Sequence, residues 1–421
     1  MNMTNNNATF KAFVIFALCA SCATYLYAND WPTRLYDSRR CGITPEELTL
    51  PMVEEWNHKT VPPVPAWSES PAFDGQTQPN LKPRQNFDVC FDIVVAGSLA
   101  YFGSSNTGAV TCLDVETGSI VWIFVTDGPV RLAPHLAHAR VYVGSDDGYA
   151  YCLDAANGSL LWKDRAGPDD RMLWGNGRLI SVWPVRSSIL VDGDSVFWTA
   201  GLFPREGMYI CKRNAFDGSG GWTKPARRPS QGYLVAGSKA LYAPGGKGYP
   251  VVYDRNTGDA LGYIKAGSRD GGSWALLSPD ENQFWSGPFE KNAAYQFDTK
   301  TRDHIASVTN ANYLIVDSTN AYYVTDRSIV KTNRADRSVV WSRSYAYPHA
   351  LIKAGGTLFA GGESEIAAFD DEGNRIWTAP VDGMAYGLAA ANGHLFVGTD
   401  RGVIHCFGNG TPISTPTKKV L

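Results

Sequence analysis

The chain has 421 residues, among them 42 Gly, 24 Pro, 20 Tyr, 18 Phe and 13 Trp, a composition that favours many short strands joined by tight turns over long helices. Its net charge of −3, with no Lys/Arg-rich block, argues against a nucleic-acid partner. The length admits one large or two ordinary domains with ample surface to bury.

In chain order, residues 1–28 read as a signal peptide. The stretch "FKAFVIFALCASCATYLYA" (10–28) sets one Lys before an apolar run too short to cross a bilayer, and small residues follow at Ser21, Ala23 and Ala28. Cleavage is expected after Ala23 or Ala28, which places the mature protein in the periplasm or at the cell surface. Lipidation of Cys22 is poorly supported, because Cys19 stands where a lipoprotein signal needs an apolar residue. No later stretch is long and apolar enough to span a membrane. An N-terminal segment (29–48) comes next, then an isolated apolar run, "LTLPMVEEWNHKTV", that predicts a strand over 49–60, and a Pro-rich traverse (61–86).

From 87 to 408 the chain repeats itself, and 409–421 form a tail. "LDVETGSIVW" at 113 returns as "LDAANGSLLW" at 153, "NAFDGSGGW" at 214, "YDRNTGDALG" at 253, "FDTKTRDHIA" at 297, "TNRADRSVVW" at 332, "FDDEGNRIW" at 369 and a truncated "HCFGNG" at 405. Intervals of 35 to 45 residues, with one near 60, are the period of propeller blades. Each phrase supplies a third strand, a turn and a fourth strand, and an alternating apolar run before it supplies the first two. Asp114 can bond its own turn and Gly118 can take φ > 0, while Trp122 presents a flat face to the next sheet. Trp162, Trp222, Trp341 and Trp377 stand in the same place. The last unit lacks a Trp strand, which the 49–60 segment can supply with Trp56. The expected fold is therefore all-β: an eight-bladed β-propeller of four-stranded antiparallel blades, closed by an N-terminal strand.

The phrase A/L-D-x-x-T-G-x-x-x-W resembles the PQQ-like, quinoprotein-type β-propeller repeat over residues 30–408. The longer strings "DWPTRLYDSRRCGITPEELTLP", "TDGPVR" and "GNGRLISVWPVR" resemble exported PQQ-like propellers of planctomycete-type bacteria, with Cys41 and Leu35 departing from the usual Ser and Arg. Gly262 and Ala306 replace the docking Trp in blades four and five, so those blades are expected to be the loosest. In quinoprotein dehydrogenases, the resemblance implies, PQQ is clamped by a disulfide between adjacent cysteines and by Ca²⁺, with an Asp as base. This chain has no Cys-Cys pair and lacks their long insertions, so no cofactor is expected. Other propellers of the fold, similar to the eight-bladed outer-membrane assembly lipoprotein, bind proteins and carry no chemistry.

Candidate site residues fall at the starts of inner strands. Arg131 and Arg186, with Trp183, Trp274, Tyr313, His349 and Tyr386, are placed to form an aromatic and cationic mouth for an anion, a sugar or a peptide carboxylate. Alternatively, each Arg pairs with a nearby Asp, such as Asp127, and ties blades together. The interruption at 166–186 carries Arg171, Trp174 and Arg178, which either lid the axial funnel or plug it. Cys112, Cys152 and Cys406 share one repeat position and read as small apolar fillers. Cys41 and Cys90 lie outside the repeat and are a candidate disulfide. His135 and His138 read as solvated turn residues, and no metal site is expected. The reading that follows is an exported, non-catalytic binding or scaffold protein, monomeric or part of an assembly, with a protein or glycan partner. A quinone-dependent oxidoreductase is the first alternative, and a glycan-binding or glycan-active propeller the second.

Overall fold

The turn in each repeat sets the geometry of the whole ring. Asp114 Oδ1 accepts from Thr117 N at 2.9 Å and from Thr117 Oγ1 at 2.8 Å, and Gly118 closes the turn at φ +66°. A hairpin fixed in this register brings Trp122 opposite Cys112, with a bulge after Ile120 that turns the Trp inward.

The computed structural model describes residues 30–67, 87–175, 177–245, 248–264, 274–289 and 293–412; the expected signal peptide, most of the traverse and most of the tail lie outside them. Among the described residues there is no helix, and the strands form eight four-stranded antiparallel blades around one axis. Blade 1 comprises Val94–Ala96, Leu99–Gly103, Ala109–Asp114 and Ile120–Val125, from axis to rim. Blades 2 to 7 follow at 135–165, 190–225, 235–263, 274–309, 313–343 and 350–380. Blade 8 takes Ala385–Ala391, His394–Thr399 and Val403–Gly408 from the C-terminal end, and its outer strand is Val53–Lys59, antiparallel to Val403–Gly408. The ring is thus tied by both ends of the repeat region, with Trp56 paired to Cys406 as Trp122 is to Cys112.

Blade meets blade through tryptophan. Trp56 Nε1 donates to Val115 O at 2.7 Å, and its ring covers Gly118, where a Cβ would stand 2.6 Å from the indole. Trp122 rests likewise on Gly158 and donates to Ala155 O, Trp162 rests on Gly218 and donates to Ala215 O, and Trp222 rests on Gly258 and donates to Asn256 O. Trp341 rests on Gly373, and Trp377 donates to Met52 O, just before the closing strand of blade 8. Glycine is needed twice here, for the turn and for the ring lying on it.

Blades 4 and 5 break the pattern in a paired way. Where the Trp is missing, the next blade's turn has Arg in place of Gly: Arg302 at φ +64° and Arg337 at φ +66°. Arg302 Nη1 reaches back to Leu261 O, and Arg337 Nη1 to Ile305 O at 3.4 Å. Gly262 leaves room for this, since a Cβ there would meet Arg302 Nη1 at 2.4 Å. The place expected to be loose is filled from the neighbouring blade.

Candidate functional site

The lower end of the axis, where first strands turn into second strands, is occupied by residues 30–46. This segment winds past successive inner strands. Trp31 pairs with Val95 of blade 1, Leu136 N of blade 2 donates to Pro32 O at 2.7 Å, and Ser38 Oγ donates to Val191 O of blade 3. Ala236 N of blade 4 donates to Ser38 O at 2.8 Å and Leu277 N of blade 5 to Arg39 O at 2.9 Å. Gly42 packs on Ile315 of blade 6, Ile43–Thr44 lie parallel to Ala350–Ala354 of blade 7, and Glu46 accepts from Gly393 N of blade 8. Sequence reasoning missed this role, because the pairing of the segment with successive inner strands runs largely through backbone atoms and leaves no side-chain pattern.

Two arginines of that segment enter the axis. Arg40 is fully buried and donates to Leu234 O, Arg34 O, Thr33 Oγ1 and Ser188 Oγ. Burial drives its pKa down to about 10. Arg34 pairs with Asp92 at 3.0 Å and lies 4.6 Å from the centre of the Tyr233 ring. Tyr233 OH donates to Asp92 Oδ2 at 2.7 Å and accepts from Ala133 N, and burial, then Asp92, holds the phenol well above its usual pKa.

At the upper end, Arg131 and Arg186 do not face solvent. Arg131 Nε and Nη1 bind Asp146 at 2.7 Å and Asp88 at 2.8 Å, while Arg186 Nε and Nη2 clasp both oxygens of Asp146 at 2.9 and 3.0 Å. These side chains are at most 2 % exposed. The tie between blades is therefore made through Asp146 and Asp88, not through Asp127. Two cations meet two carboxylates, which is what makes burial of all four tolerable. Burial still pushes Asp88 up, and its Oδ1 is without a partner.

Trp183 and Trp274 are also structural. Trp183 is 1 % exposed, donates to Glu206 O at 2.8 Å and is capped by Arg171; Trp274 donates to Asn312 O and so bridges blades 5 and 6. His349 and Tyr386 come together at the upper mouth beside blades 7 and 8, their ring centres 4.7 Å apart, while Tyr313 of blade 6 engages Arg34. Burial lowers the His349 pKa, and burial followed by Tyr313 pushes Tyr386 up to about 12.

The 166–186 interruption forms a hairpin of Met172–Gly175 and Arg178–Ser181. It lies on the upper face rather than in the axis: Arg178 donates to Asn106 O of blade 1 at 2.8 Å, and Arg171 pairs with Asp169 and Glu206. Trp174 is 72 % exposed, with Met172, Leu179 and Phe203 also exposed. A cavity of about 610 Å³ opens at its base, lined by Arg171, Leu173, Val182, Phe203, Pro204, Arg205 and Glu206.

Three expectations are corrected. Cys41 and Cys90 are free, each thiol buried and turned to its own acceptor, Ile43 O and Asp92 Oδ1. His135 is not a solvated turn residue: it lies buried in the inner strand of blade 2, accepts from Val191 N, and burial takes its pKa down to about 3. The hairpin does not plug the funnel, whose lower end is closed by the N-terminal segment. The fillers Cys112, Cys152 and Cys406 are all fully buried.

On the axis the polar side chains engage one another. The Tyr233 ring is capped by Arg34 and Arg40 at 4.6 and 5.4 Å, and Asp92 is engaged by Arg34 and Tyr233. Among the described residues no helix is long and apolar enough to cross a membrane.

Comparison with known proteins agrees with the architecture. A family model described as "Outer membrane protein assembly factor BamB" matches residues 74–207. No curated protein matches the sequence. Among solved structures, the quinohemoprotein alcohol dehydrogenase of Comamonas testosteroni superposes with a TM-score of 0.63 at 13 % identity, covering 92 % of this chain and 82 % of its own. A europium-containing methanol dehydrogenase gives 0.61 at 12 % identity, covering 91 % and 98 %. The computationally designed Ika8 protein gives 0.56 at 12 % identity, covering 77 % and 98 %. Identities this low speak for fold alone. In fold, the chain is an eight-bladed β-propeller, similar to these quinoprotein dehydrogenases.

Proposed function

We infer that this is an exported, non-catalytic binding or scaffold protein that takes a protein partner on its upper face, at the 172–181 hairpin. The observation that carries the reading is the axis. Where a cofactor-using propeller needs space and free donors, this chain places Arg34, Arg40, Asp92 and Tyr233 in contact with one another. The upper face instead offers exposed Trp174, Met172, Leu179 and Phe203 beside a cavity flanked by Arg171 and Arg205. Clustered apolar exposure with a charged rim suits protein association. Export rests on the N-terminal sequence, and a fully folded ring carried outside the cytoplasm suits a surface that meets other proteins.

Two measurements test this. PQQ with Ca²⁺ added to the purified protein is expected to give no stoichiometric absorbance change and no dye-linked alcohol oxidation. A photo-crosslinking residue at position 174 is expected to give discrete protein adducts in the native host, whereas one at Val339 on the outer rim gives none. A stoichiometric quinone complex with activity overturns the reading.

A further inference from the structure

Two histidines of blade 8 face the closing strand, and they are wired differently. His405 is satisfied as a neutral ring. Asp382 N donates to its Nε2 at 3.0 Å, so Nδ1 carries the proton and donates to Glu54 Oε1 at 2.6 Å. His394 is not. Its Nδ1 lies 2.8 Å from the carbonyl oxygen of Asn392, which can only accept, so Nδ1 carries the proton there. In a neutral ring, Nε2 then turns a lone pair toward Glu55 Oε2 at 3.0 Å. Two acceptors cannot face each other at that distance unless a positive charge joins them.

A third donor atom lies beside this contact. Cys406 Sγ, His394 Nε2 and a Glu55 carboxylate oxygen are all within 4.8 Å of one another. Donor atoms on a tetrahedral zinc ion stand about 3.3 to 3.6 Å apart, given bonds of about 2.0 Å to N and O and 2.3 Å to S. The Asn392 carbonyl orients the imidazole as a backbone carbonyl does for many metal-bound histidines.

The repeat itself is altered around these atoms. The residue two places after the Cys is Asp114 in blade 1 and Asp154 in blade 2, but Gly408 here. A Cβ at Gly408 would stand 2.4 Å from Glu55 Oε1 and 2.8 Å from His394 Cδ2, so the change makes room for the group. At the bulge, blades 1 and 2 expose Val121 and Leu161 at 48 % and 44 %, whereas the Glu55 side chain is folded in at 11 %. The thiol recurs as Cys112 and Cys152 and packs there, but the carboxylate and imidazole beside it have no counterpart in blades 1 and 2, where Val121 and Leu161 stand at the bulge and Leu99 and Arg140 at the place of His394.

We propose that Glu55, His394 and Cys406 bind a zinc ion that fastens the closing strand to blade 8. Cys406 gives up its thiol proton to solvent on binding, Glu55 binds as carboxylate and His394 through Nε2. The dication is then balanced by two anionic ligands, and water takes the fourth position. The site sits where the first and last strands of the ring meet, so metal binding and ring closure reinforce each other.

The test uses purified, untagged protein stripped of metal. Added Co²⁺ is expected to bind in equimolar amount with a thiolate-to-cobalt charge-transfer band, and Zn²⁺ to displace it and raise the Tm. Cys406→Ser and His394→Gln are expected to abolish the band, while Cys112→Ser, at the same repeat position in blade 1, keeps it. Circular dichroism and the metal-free Tm of each variant establish that it is folded. Sub-stoichiometric binding by the parent protein, or a band that survives Cys406→Ser, overturns the proposal and leaves a proton between Glu55 and His394.

Discussion

At the seam between blades 8 and 1, Trp56 lies on Gly118 and donates to Val115 O; at the seam between blades 4 and 5, Gly262 stands in the Trp position and Arg302 in the Gly position. One contact runs forward, from an outer strand onto the next turn, and the other runs backward, from the turn to the outer strand. The pair of positions is conserved in volume rather than in identity. A large side chain on either blade fills the gap, and the partner position must then be small. What differs is the energetics. The Trp seam removes a large apolar surface from water and needs no backbone strain, because Gly118 takes φ +66° freely. The Arg seam relies on a partly exposed hydrogen bond and holds a non-glycine residue at positive φ.

That difference can be broken at its strong end first. Trp56→Ala removes the indole that joins the closing strand to blade 1 and its hydrogen bond to Val115 O, and should cost about 3 to 5 kcal/mol in denaturant unfolding. Arg302→Ala, at the opposite kind of seam, should cost about 1 kcal/mol, the net worth of one hydrogen bond and some packing. Equal losses at the two seams would mean that the apolar face of Trp56 contributes little and that ring closure depends on the strand pairing alone.

Much of this contrast was written in the sequence. The repeat, its period and the substitution of Gly262 and Ala306 for Trp are all visible there. So was Trp56, because a Trp in an isolated apolar strand matched the one piece the last repeat lacked. The compensating arginines were visible as residues but not as partners, since Arg302 and Leu261 meet only when two blades are packed side by side. The candidate site was less legible. Tyr313, His349 and Tyr386 were placed by strand position alone, and a mouth is a matter of where strands begin. The partner of Arg131 and Arg186 was misjudged because Asp127 is near in sequence, whereas Asp146 arrives from the turn of blade 2. The axial segment was not legible at all. Its bonds join Ser38 to Ala236 and Arg39 to Leu277 through main-chain atoms, and no residue type marks them.

The weakest seam gives the sharpest comparison. Arg337 donates to Ile305 O at 3.4 Å, close to the limit of a useful hydrogen bond, and is held at φ +66°. Arg337→Gly exchanges a poor contact for relief of backbone strain, so the two effects nearly cancel, and stability should stay within about 0.5 kcal/mol of the parent. Ala306 occupies the docking position on blade 5 with no positive φ of its own, so a Trp there meets the backbone geometry of an ordinary outer strand. Against the arginine it has no room, and Ala306→Trp alone should destabilise by about 1 to 3 kcal/mol through overpacking. Combined with Arg337→Gly, the Trp should find a glycine turn to lie on and gain about 1 kcal/mol over the parent. The double-mutant cycle therefore reads the coupling directly, with a sign opposite to that of the single Trp change. Additive effects would show that the turn residue and the docking residue are independent, and that the arginines of blades 5 and 6 do not stand in for tryptophan.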